Sequence, residues 1–236
     1  MFTFLFFNPF LIAAAVIPAV FLIFWIYKHD RLDKESPALI RSLVLKGFLA
    51  AALACAAELI LPLFLDLLDL DDEMYDFVMY FFVVALSEEF FKYFVMKRKT
   101  WYSEEFNCQF DGVVYATSVS LGFALIENIA YVFEGGLGTA LLRAITAIPG
   151  HACFGVFMGA WYGMAKRFDN FGYPEKSRLH RFLAVFVPVL LHGAYDYIAT
   201  REDDLSVLVF FGFVAVLFVI TFLLVKRLSR EDRYIV

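Results

Sequence analysis

Four stretches of this chain put acidic, basic and imidazole side chains into sequence that is otherwise apolar. They read Leu86-Ser87-Glu88-Glu89-Phe90-Phe91-Lys92, then Phe123-Ala124-Leu125-Ile126-Glu127-Asn128, then a lone His151, then His192-Gly193-Ala194-Tyr195-Asp196. A charged residue at the centre of a membrane-spanning helix costs roughly 2.5–3.5 kcal/mol on insertion scales, and the default reading of such a residue is functional. Helical spacing sorts them. Glu88 and Lys92 are four apart with the carboxylate on the amino-terminal side, so they pair on one face. Glu89 points about 100° away and is expected to lack that partner. Phe123 shares a face with Glu127, and His192 with Asp196. His151 heads a stripe with Gly155, Gly159 and Gly163, which lets a neighbouring backbone approach closely and sets the imidazole where helices meet.

The chemistry open to this set is activation of water. A carboxylate in apolar surroundings serves as a general base near neutral pH. An imidazole shares that proton, stabilises an oxyanion, or binds a metal. Two His with two or three carboxylates also suit Zn²⁺ with one position open for water, the candidate ligands being Glu89, Glu127, His151, His192 and Asp196. The HExxH and GxSxG patterns are both absent, so the nucleophile is expected to be water and no side chain.

The elements that position these residues follow from composition. Of 236 residues 62% are hydrophobic and 30 are Phe, with a mean hydropathy of +0.73; a soluble domain is about half apolar. A spanning helix needs roughly 20 mostly apolar residues. Seven stretches qualify: Pro9–Tyr27, Ser42–Leu65, Tyr75–Met96, Gly112–Phe133, Thr139–Ala165, Phe182–Thr200 and Leu205–Val225. The expected fold is therefore all-α, a polytopic transmembrane helical bundle of about seven spans. Neither a repeat nor a linker divides it, so residues 1–236 are expected to act as one domain. Sixteen of the twenty basic residues fall after spans one, three, five and seven, which predicts an outside amino terminus and a cytoplasmic carboxy terminus. The lipid bilayer is the expected surrounding, and no basic run suggests nucleic acid. Three cysteines, an odd number, are read as free thiols.

At these residues the sequence resembles the PrsW family of intramembrane proteases, distant relatives of the CAAX-prenyl proteases and the Abi proteins. The pattern EExxK, FxxxE, HxxxD on successive spans matches Glu88-Glu89-x-x-Lys92, Phe123-x-x-x-Glu127 and His192-x-x-x-Asp196. Asp111-Gly112-x-x-Tyr115 and the continuation to Asn128 and Tyr131 match too, and the likeness runs from about Val83 to Tyr197. The resemblance implies endoproteolysis of a single-pass membrane protein, such as an anti-sigma factor in a stress response, in a bacterial plasma membrane. It assigns Glu88 and Glu89 as the water-activating pair and His192 as catalytic. By analogy with the prenyl-protease relatives, Glu127 stands where a His helps activate water, and His192 with Asp196 occupies the oxyanion-stabilising pair. An ionised Asp cannot donate to an oxyanion, so Asp196 is left to be protonated, to orient His192 or to ligate a metal.

Structural roles compete at each position. Glu88–Lys92 also fixes helix register, His151 and Asn128 also serve as interhelical hydrogen-bonding groups, and Phe123 packs or shapes a substrate groove. Asp111 caps a helix. Glu58 has no partner in the motif set. As whole-protein alternatives, a proton- or cation-coupled transporter and a non-catalytic membrane scaffold would use the same polar cluster.

Overall fold

The computed structural model describes residues 9–201 and 203–235, and helices stand at all seven expected positions. We number them α1 (Pro9–His29), α2 (Pro37–Leu65), α3 (Asp72–Val78), a π-helical segment (Met79–Ala85), α4 (Leu86–Thr100), α5 (Asp111–Ile145), α6 (Ala147–Asn170), α7 (Pro174–Ala199) and α8 (Asp204–Arg230). Local chemistry sets several of their starts. Ser36 Oγ accepts from Leu39 N at 3.2 Å with Pro37 in the first turn of α2, and Asp203 Oδ1 accepts from Ser206 N at the start of α8. Both arrangements satisfy amide groups that a helix start leaves without partners.

Five described helical stretches are long and apolar enough to cross a membrane: Pro37–Leu65, Asp111–Tyr131, Gly135–Asn170, Pro174–Ala199 and Asp204–Arg230. α1 adds the shorter apolar stretch Val16–His29. The third expected span is helical from Asp72 to Thr100, but it carries Glu88, Glu89 and Lys92 and changes helix type midway.

Burial orders the bundle. The apolar window of Asp111–Tyr131 is 78% buried, against 22% for α2 and 17% for α8. α5 is thus the central helix, and α2 and α8 turn their leucines and phenylalanines outward, as a lipid solvent requires. The glycine stripe of α6 explains how α6 closes on α5. A Cβ added at Gly159 would collide with the backbone of Gly112 and Val113, and one at Gly163 with the backbone of Gln109. The expected close approach is therefore made, and its partner is the first turn of α5.

Two breaks shape the region beyond. At Gly136 the backbone turns left-handed (φ 70°) inside α5, a conformation that glycine adopts without a Cβ clash. A straight helix would hold Glu127 and Arg143 about 24 Å apart. The chain reverses instead, and their side chains pair at 3.1 Å. A second break at Thr146 (φ -119°) separates α5 from α6, so the fifth expected span crosses a helix boundary.

At the end of the bundle where the basic loops lie, the α1–α2 link, the α4–α5 link and the tail after α8 fold together. Asp30, Glu35 and Asp111 are buried there. Burial and the nearby Asp111 push the Glu35 carboxyl up to about 9, and burial pushes Asp30 up to about 6. The cysteines carry no disulfide among the described residues.

Candidate active site

α4 presents Glu88, Glu89 and Lys92 immediately after the π-helical segment Met79–Ala85. Such segments insert an extra residue per turn and recur at functional sites. Here the wider turn lies against α7: a Cβ at Gly193 would strike the Phe81 ring. The helix that carries His192 consequently comes close enough to α4 for the two sets of polar groups to touch.

Lys92 is fully buried, and its ammonium donates to Glu88 Oε2 at 2.9 Å and to Glu89 Oε1 at 2.7 Å. The expectation that Glu89 lacks this partner is corrected. A lysine stem is long enough to serve both the i−4 and the i−3 carboxylate, so the 100° between the two glutamates does not separate them. Nζ also lies 3.1 Å from His151 Nδ1 and 4.0 Å from the centroid of the Phe123 ring. Phe123 is thus the apolar floor of the ammonium. Because an ammonium only donates, His151 Nδ1 accepts, and its Nε2 carries the proton that faces Glu127 Oε2 at 2.7 Å.

His192 sits across from His151, ring centroids 5.3 Å apart and nearly perpendicular, and stacks on Phe154 at 4.7 Å. Its Nδ1 lies 2.9 Å from Glu89 Oε1 and 3.9 Å from Glu88 Oε2, and its Nε2 3.3 Å from Asp196 Oδ2. The i,i+4 pairing of His192 and Asp196 is therefore made. Glu88, Glu89, His151 and His192 each offer a ligand atom within 4.8 Å of the others. Glu127 and Asp196 stand one step out, each beyond an imidazole; among the expected metal ligands these two fall outside the tight group, and Glu88 falls inside it.

Arg143, which the sequence did not single out, completes the site. Arg143 Nη2 pairs with Glu127 Oε1 at 3.1 Å, its Nε donates to Asn128 Oδ1 at 3.1 Å, and the guanidinium stacks over Tyr131 at 3.9 Å. The available signal was an arginine inside an apolar stretch. Glu58 on α2 faces the same space, its Oε1 3.2 Å from Ser87 Oγ. A cavity of about 640 Å³ opens here, and its wall includes Glu58, Glu88, Glu127, Arg143, His151, His192, Tyr195 and Asp196. Glu89 is fully buried and lies behind that wall.

The donor set suits a divalent transition metal. Two imidazoles and two carboxylates are the ligand types of catalytic zinc, and Glu89 Oε2 is buried with no hydrogen-bond partner. Lys92 Nζ touches three of the four donors, so a metal and the ammonium share one set of ligands.

Comparison with known proteins gives this geometry a context. The family described as PrsW family intramembrane metalloprotease matches residues 35–225. A protein named Protease PrsW from Oceanobacillus iheyensis is 36% identical over 224 residues, covering 94% of this chain and 97% of its own. Proteins of the same name from Geobacillus kaustophilus (36% identical, 82% and 81% covered) and Bacillus subtilis (32%, 82% and 84%) are similar too. No solved structure matches the chain.

Proposed function

Because the chain belongs to the PrsW family of intramembrane metalloproteases, we propose that it hydrolyses a peptide bond of a single-pass membrane protein inside the α4–α7 cavity, with Glu88 activating the water. Protease activity itself follows from the family, and the transporter and scaffold readings give way to it. One observation carries the residue assignment. The two glutamates, His151 and His192 converge within 4.8 Å, and of the two glutamates Glu88 lines the cavity whereas Glu89 does not.

On this reading Glu88 takes one proton from water as the oxygen bonds to the substrate carbonyl carbon. The tetrahedral species then expels the amine, and the same proton passes from Glu88 to the leaving nitrogen as the C–N bond breaks. His192, whose Nδ1 faces Glu89 at 2.9 Å and whose Nε2 faces Asp196 at 3.3 Å, shares its Nε2 proton between Asp196 and the carbonyl oxygen as negative charge gathers there. Glu89 and Lys92 act as positioning residues, since both lie behind the cavity wall. Glu127 holds His151 in the tautomer that leaves Nδ1 as an acceptor, and Arg143 in turn fixes Glu127, in the manner of outer partners that orient a metal-ligating imidazole. Zn²⁺, held by Glu89, His151 and His192 with Glu88 left free as the base, would lower the pKa of a bound water and polarise the carbonyl.

The basic loops support an outside amino terminus and a cytoplasmic carboxy terminus, and the bacterial relatives support a bacterial plasma membrane, with residues 1–236 acting as one protease domain. An anti-sigma factor in stress signalling is the substrate class to try first. Reconstitution with a single-pass substrate tests the scheme. Glu89→Gln and His192→Ala are expected to stop cleavage, as is chelation, with recovery on adding Zn²⁺. Undiminished cleavage by either variant refutes its assigned role, and activity that survives chelation refutes the metal.

A further inference from the structure

Two cations at the basic-loop end of the bundle stand together without an acid. Lys97, in the last turn of α4, and Arg181, near the start of α7, are both half-buried. Arg181 is the charge that bears on Lys97, and it repels it. Neither has a hydrogen bond or an ion pair among the described residues. Arg181 lies over the Trp101 ring, 5.3 Å from its centroid, but an aromatic face carries no full charge to neutralise it. The neighbouring cations are served. Lys166, over the same ring, donates to the Trp101 carbonyl at 2.9 Å and has Asp169 nearby, and Arg178 pairs with Glu175 at 3.0 Å. What Lys97 and Arg181 lack is an anion.

Beside them runs an apolar seam whose position follows from helix geometry. α4 and α7 are antiparallel, because Arg181 meets Trp101 at one end and His192 meets Glu89 at the other. Glu89, Tyr93 and Lys97 therefore face α7, and Arg181 faces α4. Phe90 and Phe94 each follow a facing residue of α4 by one position, and Phe182 follows Arg181, with Phe186 one turn further on. One position is about 100° of helix, and in an antiparallel pair it turns both rows to the same side. All four rings are exposed and stand in two stacked columns, Phe90 with Phe94 at 6.1 Å and Phe182 with Phe186 at 5.2 Å. Two aromatic columns thus flank a seam that has Lys97 and Arg181 at its head.

We propose that this seam binds one anionic phospholipid of the phosphatidylglycerol class, its phosphate held between Lys97 and Arg181 and an acyl chain lying between the phenylalanine columns. A phosphate diester offers its charged oxygens to the guanidinium fork, while the ammonium adds a point charge. A soluble anion would satisfy the cations but leave the columns bare. A zwitterionic lipid would fill the columns but bring its own cation to the phosphate. The order of groups along the helices also fits a lipid: the rings begin about one turn from the cations and run away from the basic loops, which is the direction from headgroup to hydrocarbon. Bound there, the lipid ties α4, which carries Glu88, Glu89 and Lys92, to α7, which carries His192, at the end away from the cavity.

The test uses the full-length protein, stripped of lipid by detergent exchange, with thermal unfolding followed by tryptophan fluorescence. Phosphatidylglycerol is expected to raise Tm by about 4 °C at tenfold its Kd, with phosphatidylcholine at the same mole fraction giving no such rise. The double variant Lys97→Gln/Arg181→Gln is expected to lose most of the rise. Lys28→Gln/Lys226→Gln, which removes equal charge from α1 and α8 at the same end, is expected to keep it. Native mass spectrometry gives a second readout: one retained phosphatidylglycerol per chain in wild type and in Lys28→Gln/Lys226→Gln, and none in Lys97→Gln/Arg181→Gln. The proposal is overturned by a wild-type Tm no more sensitive to phosphatidylglycerol than to phosphatidylcholine, or by a full rise in Lys97→Gln/Arg181→Gln. Equal loss of the rise in both double variants overturns it too, since the effect would then be one of general surface charge. So does the same rise with inorganic phosphate alone, which would make the ligand a soluble anion. If Lys97→Gln/Arg181→Gln does not fold, Lys97→Gln alone decides: loss of the retained lipid supports the site, and lipid held at wild-type occupancy overturns it.

Discussion

The cavity and the folded links at the far end of the bundle bury carboxylates by different means. In the cavity every acid but Glu58, which accepts from Ser87 Oγ, meets a cationic or imidazole group of the same chain: Glu88 and Glu89 share Lys92, Glu127 has Arg143 and His151, and Asp196 has His192. Where the α1–α2 link, the α4–α5 link and the tail fold together, Asp30 has the Lys34 ammonium and the Glu35 backbone amide nearby, Asp111 accepts from the Asn107 and Cys108 amides, and Glu35 accepts from the Tyr115 hydroxyl. The difference teaches what holds a buried charge. Where the chain supplies the counter-charge, the acids stand ready in fixed positions for chemistry. Where backbone amides and a hydroxyl stand in its place, burial raises the carboxyl pKa instead, as at Glu35, which is pushed up to about 9 and so holds its proton at neutral pH.

The comparison breaks most sharply at Lys92. Lys92→Met leaves Glu88 and Glu89 buried without the ammonium that they share. Removing one partner of a buried pair costs about 3–5 kcal/mol, so thermal unfolding in detergent is expected about 10 °C below wild type. Adding Glu88→Gln and Glu89→Gln to that variant is expected to restore most of the loss. A Lys92→Met protein as stable as wild type would show that the ammonium is not the counter-charge of the pair.

A smaller effect is expected at Arg143, which touches Glu127 and Asn128. Arg143→Gln is expected to lower kcat by about 10- to 100-fold, the range for removing a group that orients a site imidazole, with KM and thermal stability little changed. Arg143→Lys keeps the charge and is expected to recover part of the rate. An unchanged kcat for Arg143→Gln would remove the residue from the relay.

How much of this was legible in the sequence depends on the distance each inference had to travel. Helix periodicity carries the Glu88–Lys92 and His192–Asp196 pairs, because four residues are one turn wherever the helix lies. The glycine stripe after His151 predicts a close helix contact, though not that Gly112 is its partner. Hydropathy locates a helix at each of the seven expected positions, five of the described stretches being long and apolar enough to cross a membrane. It is silent on the π-helical segment, whose seven residues look as apolar as any other. Arg143 was missed because its partner lies in the same helix label, sixteen positions earlier, and only the Gly136 reversal brings them together. Asp30, Glu35 and Asp232 read as loop charges, since burial there arises when two links and the tail fold against one another. Local pattern is visible in sequence; the partner that a turn or a distant loop provides is not.

The central claim is that Glu88, the glutamate on the cavity wall, activates the water. Its most direct test compares wild type and Glu88→Gln in vesicles holding a single-pass substrate, scored by the appearance of the cleaved fragment. The account predicts a drop in rate of roughly 10²- to 10⁴-fold, the usual worth of a general base, with an unchanged unfolding profile. Cleavage by Glu88→Gln at the wild-type rate would contradict it.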